Sequence, residues 1–295
     1  MTRITALMTS RNILADINAT NARMRKAQEQ LSSGKLLNKP SDDPSEVARA
    51  MQLRTDLEAT QQFQQNASEA TGWTDVTDSA LSSVADVLMR VRELTIQAAN
   101  GSAGPESHAA IAEELESLID TVKTAGNATY GGRYVFSGTR TDTPPYAMGT
   151  TDNFGGDEFD VYRQIGPGVA VPVNVNGPEA IGNETGGILF TMRTILDGVE
   201  DGDHGAIGTQ LHQLDLRLDE LNAVRSKVGA VNNRVEIASN RLAEYEGTTL
   251  KLLSDTEDAD IAKTMIDFTT HQAAMQAGLK AGAEIVQASL LDFLR

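Results

Sequence analysis

Residues 261–293 read IAKTMIDFTTHQAAMQAGLKAGAEIVQASLLDF. Within them Ile261, Met265, Phe268, Gln272, Met275, Leu279, Gly282, Val286, Ser289 and Phe293 recur at alternating steps of four and three. That spacing draws one stripe down an α-helix, the geometry of a coiled-coil seam. The seam is weak, because Gln272, Gly282 and Ser289 interrupt it and no charged network flanks it. A helix in water gains most of its stability from packing an apolar face, not from propensity. The segment therefore needs a partner.

The natural counterpart lies at the other terminus. From about Ile4 to Leu31 the residues Leu14, Ile17, Asn21, Met24, Gln28 and Leu31 follow the same spacing, again with polar interruptions. Ser32-Ser33-Gly34 ends this helix, since glycine accepts the left-handed conformation of a C-terminal cap. Asn38 to Pro44 is a turn-rich connector. Asp43 is placed to cap the next helix, Pro44 fits its first position, and Glu46 completes a capping-box arrangement.

Between the termini the helical texture is long. From Val47 to Asn100 only Gly72 interrupts it, a stretch of roughly 80 Å at helical rise. Its seam runs through Phe63, Ala67, Ala70, Thr74, Thr77, Leu81, Val84, Leu88, Val91, Thr95 and Ala98. Ser102 to Pro105 reverses the chain, and Ile111, Leu115, Leu118, Val122 and Ala125 mark a returning helix in an antiparallel hairpin. Gly131 to Gly187 differs: Gly131–Gly138, Glu158–Ile165 and Val169–Val175 read as short β-segments, with a hairpin turn at Phe154–Asp157. Helix resumes at Ile188. A second long helix carries Ile207, Leu211, Leu214, Leu218 and Leu221, shifts phase near Val224, and continues through Val228, Val231, Val235, Ala238, Leu242, Tyr245, Thr249 and Leu252. Acidic Ser254–Asp260 bends the chain before the last helix.

The fold class read from this order is mainly α: a long antiparallel helical, coiled-coil rod with terminal helices and a small β-rich inserted domain. The expected divisions are an N-terminal assembly helix and connector (1–40), a first rod part (41–130), the β-rich insertion (131–187), a returning rod part (188–254) and a C-terminal assembly helix (255–295).

Composition agrees with narrow helical layers. Aromatics make up 4% of the 295 residues and Trp73 is the single tryptophan, too few for one large globular core. The net charge of −16 argues against nucleic acid as the main partner. Before Pro40, however, Arg3, Arg11, Arg23, Arg25, Lys26, Lys35 and Lys39 face only Asp16 and Glu29, a local basic arm that reads as a solvated helix face. Cysteine is absent, which removes disulfides and thiolate chemistry. No apolar run approaches the ~20 residues of a membrane helix. Met1–Ile17 lacks the apolar core of a cleaved signal peptide, so if the protein leaves the cell it is expected to use a route that needs no such peptide.

Catalytic patterns are missing. His108, His204, His212 and His271 have no zinc-like spacing and read as structural or exposed. Glu200-Asp201-Gly202-Asp203 lacks EF-hand spacing and reads as a helix-capping turn. Neither a Walker loop nor a Gly-x-Ser-x-Gly elbow occurs. The expectation is a structural protein with no cofactor, metal or catalytic residue.

Three stretches together resemble the bacterial flagellin family of axial proteins. They are Leu31-Ser32-Ser33-Gly34-Lys35 with Pro40-Ser41-Asp42-Asp43-Pro44; Leu88–Leu94, which holds Arg90, Arg92 and Glu93, leading to Gln97–Gly101; and Glu257–Asp260 with the ending Ser289–Leu294. Within the family, Gly132-Arg133-Tyr134-Val135-Phe136-Ser137-Gly138 and Thr141–Tyr146 resemble the hook–filament junction subgroup, as do Val175–Glu179 and Val228–Arg234. The motif residues on which this rests are Ser33, Gly34, Pro40, Asp42, Asp43, Arg90, Arg92, Glu93, Gly132, Tyr134, Phe136 and Gly138.

The resemblance implies an extracellular protein exported through the flagellar type III apparatus without a cleaved signal. It would form a ring of its own copies between another junction protein and the first flagellin subunits. A cytoplasmic chaperone would hold the C-terminal segment before export. The residues expected at the assembly interface are Leu14, Ile17, Met24 and Leu31 with Ile261, Met265, Phe268, Met275, Leu279, Val286 and Phe293. The termini are expected to be mobile in the monomer and to pair in the assembled tube. The rival readings are a short flagellin, which shares the termini, and a coiled-coil signalling or adhesion protein.

Overall fold

The computed structural model describes residues 6–100, 104–149 and 151–293; the side chains of 6, 7, 9, 10 and 284–293 lie outside that description. The elements in chain order are α1 (Ala6–Ser33), α2 (Pro44–Ala99), α3 (Pro105–Gly126), β1 (Thr129–Tyr130), β2 (Arg133–Tyr134), β3 (Tyr162–Gly166) and β4 (Val169–Pro172). There follow α4 (Gly177–Ala180), β5 (Gly182–Asn183), α5 (Gly187–Asp201), α6 (His204–Glu257) and α7 (Ile261–Phe293). The fold is mainly α. The chain divides into two compact units, residues 1–59 with 246–295 and residues 60–245.

In the second unit every residue of the expected α2 stripe from Ala67 to Ala98 is buried. Its threonines avoid unpaired hydroxyls by bonding back along the helix: Thr74 to the Ala70 carbonyl at 3.1 Å, Thr77 to Trp73 at 2.9 Å and Thr95 to Val91 at 2.6 Å. One core joins this stripe to Leu115, Ile119 and Val122 of α3, to Met192, Ile195 and Val199 of α5, and to Leu214, Leu221, Val228 and Val235 of α6. Farther along α6 the stripe turns: Tyr245 and Leu252 are exposed and Leu253 is buried in their place.

The inserted region has less strand than its alternation suggests. β1 and β2 pair antiparallel around Gly131-Gly132, and the chain leaves the ladder after Tyr134, so Val135, Phe136 and Ser137 form a buried loop. β3 and β4 pair antiparallel, with a bulge between Gln164 and Gly166, around a turn at Pro167-Gly168. The expected turn at Phe154–Asp157 is instead a packed crossing, where Phe154 bridges to Tyr146. β3 begins late because asparagine side chains occupy its flank: Asn176 donates to the Glu158 carbonyl at 2.8 Å and Asn174 to Phe159 at 3.1 Å. The Val161 N–H in turn donates to Asn174 Oδ1 at 2.7 Å. β4 ends at Pro172, which has no N–H to give.

Gly138 closes this region. Its φ is +66°, and a Cβ there would lie 2.2 Å from the Asp157 carbonyl oxygen. Asp157 meanwhile receives the Thr139 N–H at 2.8 Å and the Phe159 N–H at 3.2 Å, so it cannot withdraw freely. Gly138→Ala is expected to cost about 2 kcal/mol or more, from the left-handed conformation plus the clash. Gly131→Asn, with φ +57° and open space around it, is expected to cost much less. Thermal melts of the two variants compare these directly, and equal losses would contradict the account.

Candidate assembly surface

In the first unit α1 and α7 pack along one another. They run antiparallel: a Cβ at Gly278 would lie 3.5 Å from Ile17, and one at Gly282 would lie 3.3 Å from Ile13. The covered side of α7 carries Thr264, Phe268, His271, Met275, Gly278 and Gly282. The covered side of α1 carries Ile13, Ile17, Thr20, Met24, Ala27 and Leu31. Both rows keep the alternating three and four spacing of a helical seam.

The seam expected from the sequence falls only partly on these sides. Ile17, Met24 and Leu31 of α1 and Phe268 and Met275 of α7 are half-buried on the covered sides, but Leu14 is 58% exposed and Gln28 is also exposed. Ile261, Met265 and Leu279 are 49%, 51% and 51% exposed, and Ile266 beside them is 64% exposed. The side chains of Val286 and Phe293 lie outside the described residues. The reason is steric. Gly278 and Gly282 let α7 approach Ile17 and Ile13 of α1 closely, with Phe268 and Met275 on the same covered side. Ile261, Met265, Ile266 and Leu279 are left on a second, open stripe.

The connector after α1 ties the same unit together. Gly34, with φ +71°, ends α1 by donating its N–H to the Gln30 carbonyl at 2.9 Å, and Ser33 Oγ accepts the Lys35 N–H at 3.1 Å. Asp42 accepts the N–H groups of Asn38 and Lys39 at 3.2 and 3.0 Å and pairs with Lys26 at 3.1 Å. The Lys26 contact first, then these backbone donors, hold its carboxyl below the ordinary carboxylate value. Asp43 caps α2 through the N–H groups of Ser45 and Glu46 at 3.0 and 3.2 Å, while the Glu46 carboxylate lies 4.0 Å from Arg49. Pro40 is exposed within the connector.

Two motifs far apart in sequence meet here. Lys35 bridges antiparallel to Asp258, the Leu36 N–H donates to the Glu257 carbonyl at 2.7 Å, and the Ala259 N–H donates to Gly34 at 2.9 Å. Glu257 is 6% exposed and its carboxylate takes Lys35 Nζ at 2.6 Å and the Arg54 guanidinium. A buried carboxylate with two cationic partners fixes where α1, α2, α6 and α7 meet, since losing both partners would leave its charge buried and uncompensated. The pairing was not evident from the sequence, where Lys35 and Glu257 were simply solvated charges.

The other motif residues lie in the second unit. Arg90 binds Glu114 at 2.7 Å and Glu93 at 2.9 Å, and Arg92 binds Asp215 at 2.9 Å, all near the surface. Gly132 makes the β1–β2 turn, Tyr134 is half-buried, and Phe136 is fully buried. Tyr146 is buried as well, its hydroxyl donating to the Gly182 carbonyl at 2.8 Å while burial pushes its phenol pKa up. The described residues hold no helix long and apolar enough to cross a membrane.

The model of the bacterial flagellin N-terminal helical region matches residues 4–141, and that of the C-terminal helical region matches residues 211–294. The chain belongs to the flagellin family. A flagellar filament 31.3 kDa core protein of Treponema maltophilum is 28% identical, over 95% of this chain and 95% of that protein. The flagellar hook-associated protein 3 of Escherichia coli is 25% identical, over 98% of each chain. Among solved structures, FlgL of Bacillus cereus shares the fold with a TM-score of 0.60 at 22% identity, covering 69% of this chain and 99% of that one. This flagellin-family chain is a structural component of the bacterial flagellum and not an enzyme. The α1–α7 pair and the connector fall inside the two matched helical regions, and the inserted region between β2 and α5 falls largely outside them.

Proposed function

We propose that this chain forms the ring between hook and filament and presents the surface on which the first flagellin subunits assemble. The observation that supports this reading is the inserted region. The residues resembling the junction subgroup supply its interior: Phe136 and Tyr146 are buried, and Asn127 holds Tyr146 through its backbone at 2.7 and 3.0 Å. A motif that builds a core dictates the shape of that part of the molecule, and this reading takes that shape as the mark of a ring subunit.

The mechanism is assembly through the termini. Leu14, Ile261, Met265 and Leu279 remain open on α1 and α7, and copies of the same chain, a second junction protein and flagellin are the partners that would cover them. Before export, a cytoplasmic chaperone on the C-terminal segment would keep this stripe from self-association. Ordering the terminal helices costs about 1–2 kcal/mol per residue, which the α1–α7 packing offsets in part and neighbours would offset further.

The test is to label the protein along intact flagella. A spot at the hook tip supports the junction reading, and signal along the filament overturns it. The match to a filament core protein over nearly the whole chain favours a second reading, a short flagellin. Growth of long filaments from purified protein alone would support that alternative.

A further inference from the structure

Four helix termini of the second unit converge around two histidines. His108 Nδ1 lies 3.2 Å from the Val199 carbonyl oxygen near the end of α5. His204 Nδ1 lies 3.0 Å from the Ala98 carbonyl oxygen at the end of α2. A carbonyl oxygen can only accept, so each Nδ1 carries the proton and donates it. In the neutral imidazole this fixes the tautomer and leaves the Nε2 lone pair free on both rings.

The two rings are neighbours, with centroids 5.3 Å apart and planes at 79°. His108 is 9% exposed, and its Nε2 has no hydrogen-bond partner. Both rings line an open cavity of about 590 Å³ whose wall also holds Glu113, Glu116, Glu200 and Asp201 and, among the described residues, no lysine or arginine. A buried ring nitrogen without a partner is costly unless something occupies it. The acidic rim and the C-terminal end of α5 set the sign of that occupant as positive.

We propose that His108 and His204 bind a divalent transition-metal ion of the zinc type through their two Nε2 atoms. Imidazole binds zinc at about 2.0–2.1 Å, which puts two rings on one tetrahedral ion with centroids about 5 Å apart. The observed centroid separation of 5.3 Å is close to that span. A backbone carbonyl holding the opposite N–H is also the outer-shell arrangement that orients metal-ligating histidines. Among the described residues no group of three such ligands is assembled. Water and carboxylates swung in from the rim complete the coordination. The ion fastens the first turn of α3 to the first turn of α6 and stabilises the folded unit by mass action.

The experiment uses the untagged full-length chain titrated with zinc chloride at neutral pH, read by calorimetry and by the imidazole NMR signals of the four histidines. One ion per chain is expected, with changes confined to His108 and His204 and a rise in melting temperature. His204 is exposed, so His204→Gln keeps the fold and is expected to weaken binding at least about tenfold and to abolish the thermal shift. His212→Gln and His271→Gln are expected to change neither. Absence of saturable binding, undiminished binding by His204→Gln, or changes at His212 or His271 instead would each overturn the proposal.

Discussion

Serine at Ile261, Met265 and Leu279 together is expected to leave a folded monomer that no longer enters the flagellum. Each residue is about half exposed, so truncation costs the monomer the covered halves, about 1 kcal/mol each, within the first unit only, and residues 60–245 keep their own core. Covering the open halves in an assembly gives about 1 kcal/mol per side chain, or about 3 kcal/mol per subunit. At 1.4 kcal/mol per tenfold, that is roughly a hundredfold in the concentration needed to assemble. Melting followed by circular dichroism measures the monomer, and microscopy of flagella from cells carrying the variant measures incorporation. Normal incorporation would refute a role for this stripe. Deleting residues 261–295 removes the covered side as well, and is expected to abolish incorporation while residues 60–245 stay folded.

The largest loss of stability is expected from Asp152→Ala. Lys123 is fully buried and lies 2.6 Å from Asp152, which also takes Arg193 at 2.9 Å. Lys123 further donates to the Thr151 carbonyl at 2.9 Å, so one carboxylate holds two cations and the loop that carries it. Removing it leaves an uncompensated ammonium in the core, a change of about 3–5 kcal/mol. For a unit of this size the melting temperature should fall by roughly 6–20 °C. A fall of under about 3 °C would show that the charges are solvated after all.

The same carboxylate predicts an acid transition. Burial pushes the Asp152 pKa up, but hydrogen bonds from Arg193 and Lys123, with their charges, outweigh it and hold the group below its ordinary value. A depressed folded pKa means that the stabilisation is complete above the unfolded value, about 4, and is lost as pH falls through the lower folded value. Melts from pH 7 to pH 3 should therefore show a steeper loss below about pH 4 for the natural chain than for Asp152→Ala. Parallel curves would rule out this origin.

How much of this was legible depends on what each residue's partner is. The α2 stripe from Ala67 to Ala98 was readable because the partner only had to be apolar and small. The 3-4 spacing then specifies a buried face whichever helix covers it. On α7 the same rule placed Phe268, Met275 and Gly282 on the covered side, but it also included Ile261, Met265 and Leu279, which the structure leaves open, and passed over Gly278. Periodicity weighs side-chain hydrophobicity and is blind to how closely two backbones approach. The β3 and β4 boundaries were missed for a related reason, since Asn174 and Asn176 occupy backbone groups that alternation assigns to a ladder.

The charged and histidine sites were not legible at all. Lys123 occupies an ordinary helical position, and only the return of Asp152 and Arg193 makes it a core residue. His108 and His204 share no spacing, because they are brought together by helices that start far apart in the chain. By itself the sequence determined the helical order, the caps at Gly34 and Asp43, the buried face of α2 and the family. The tertiary structure alone decided which side of α7 is covered, which charges are buried and which histidines meet. Helix periodicity and capping are local properties written in neighbouring residues, whereas covered faces and paired charges depend on residues that only folding brings near.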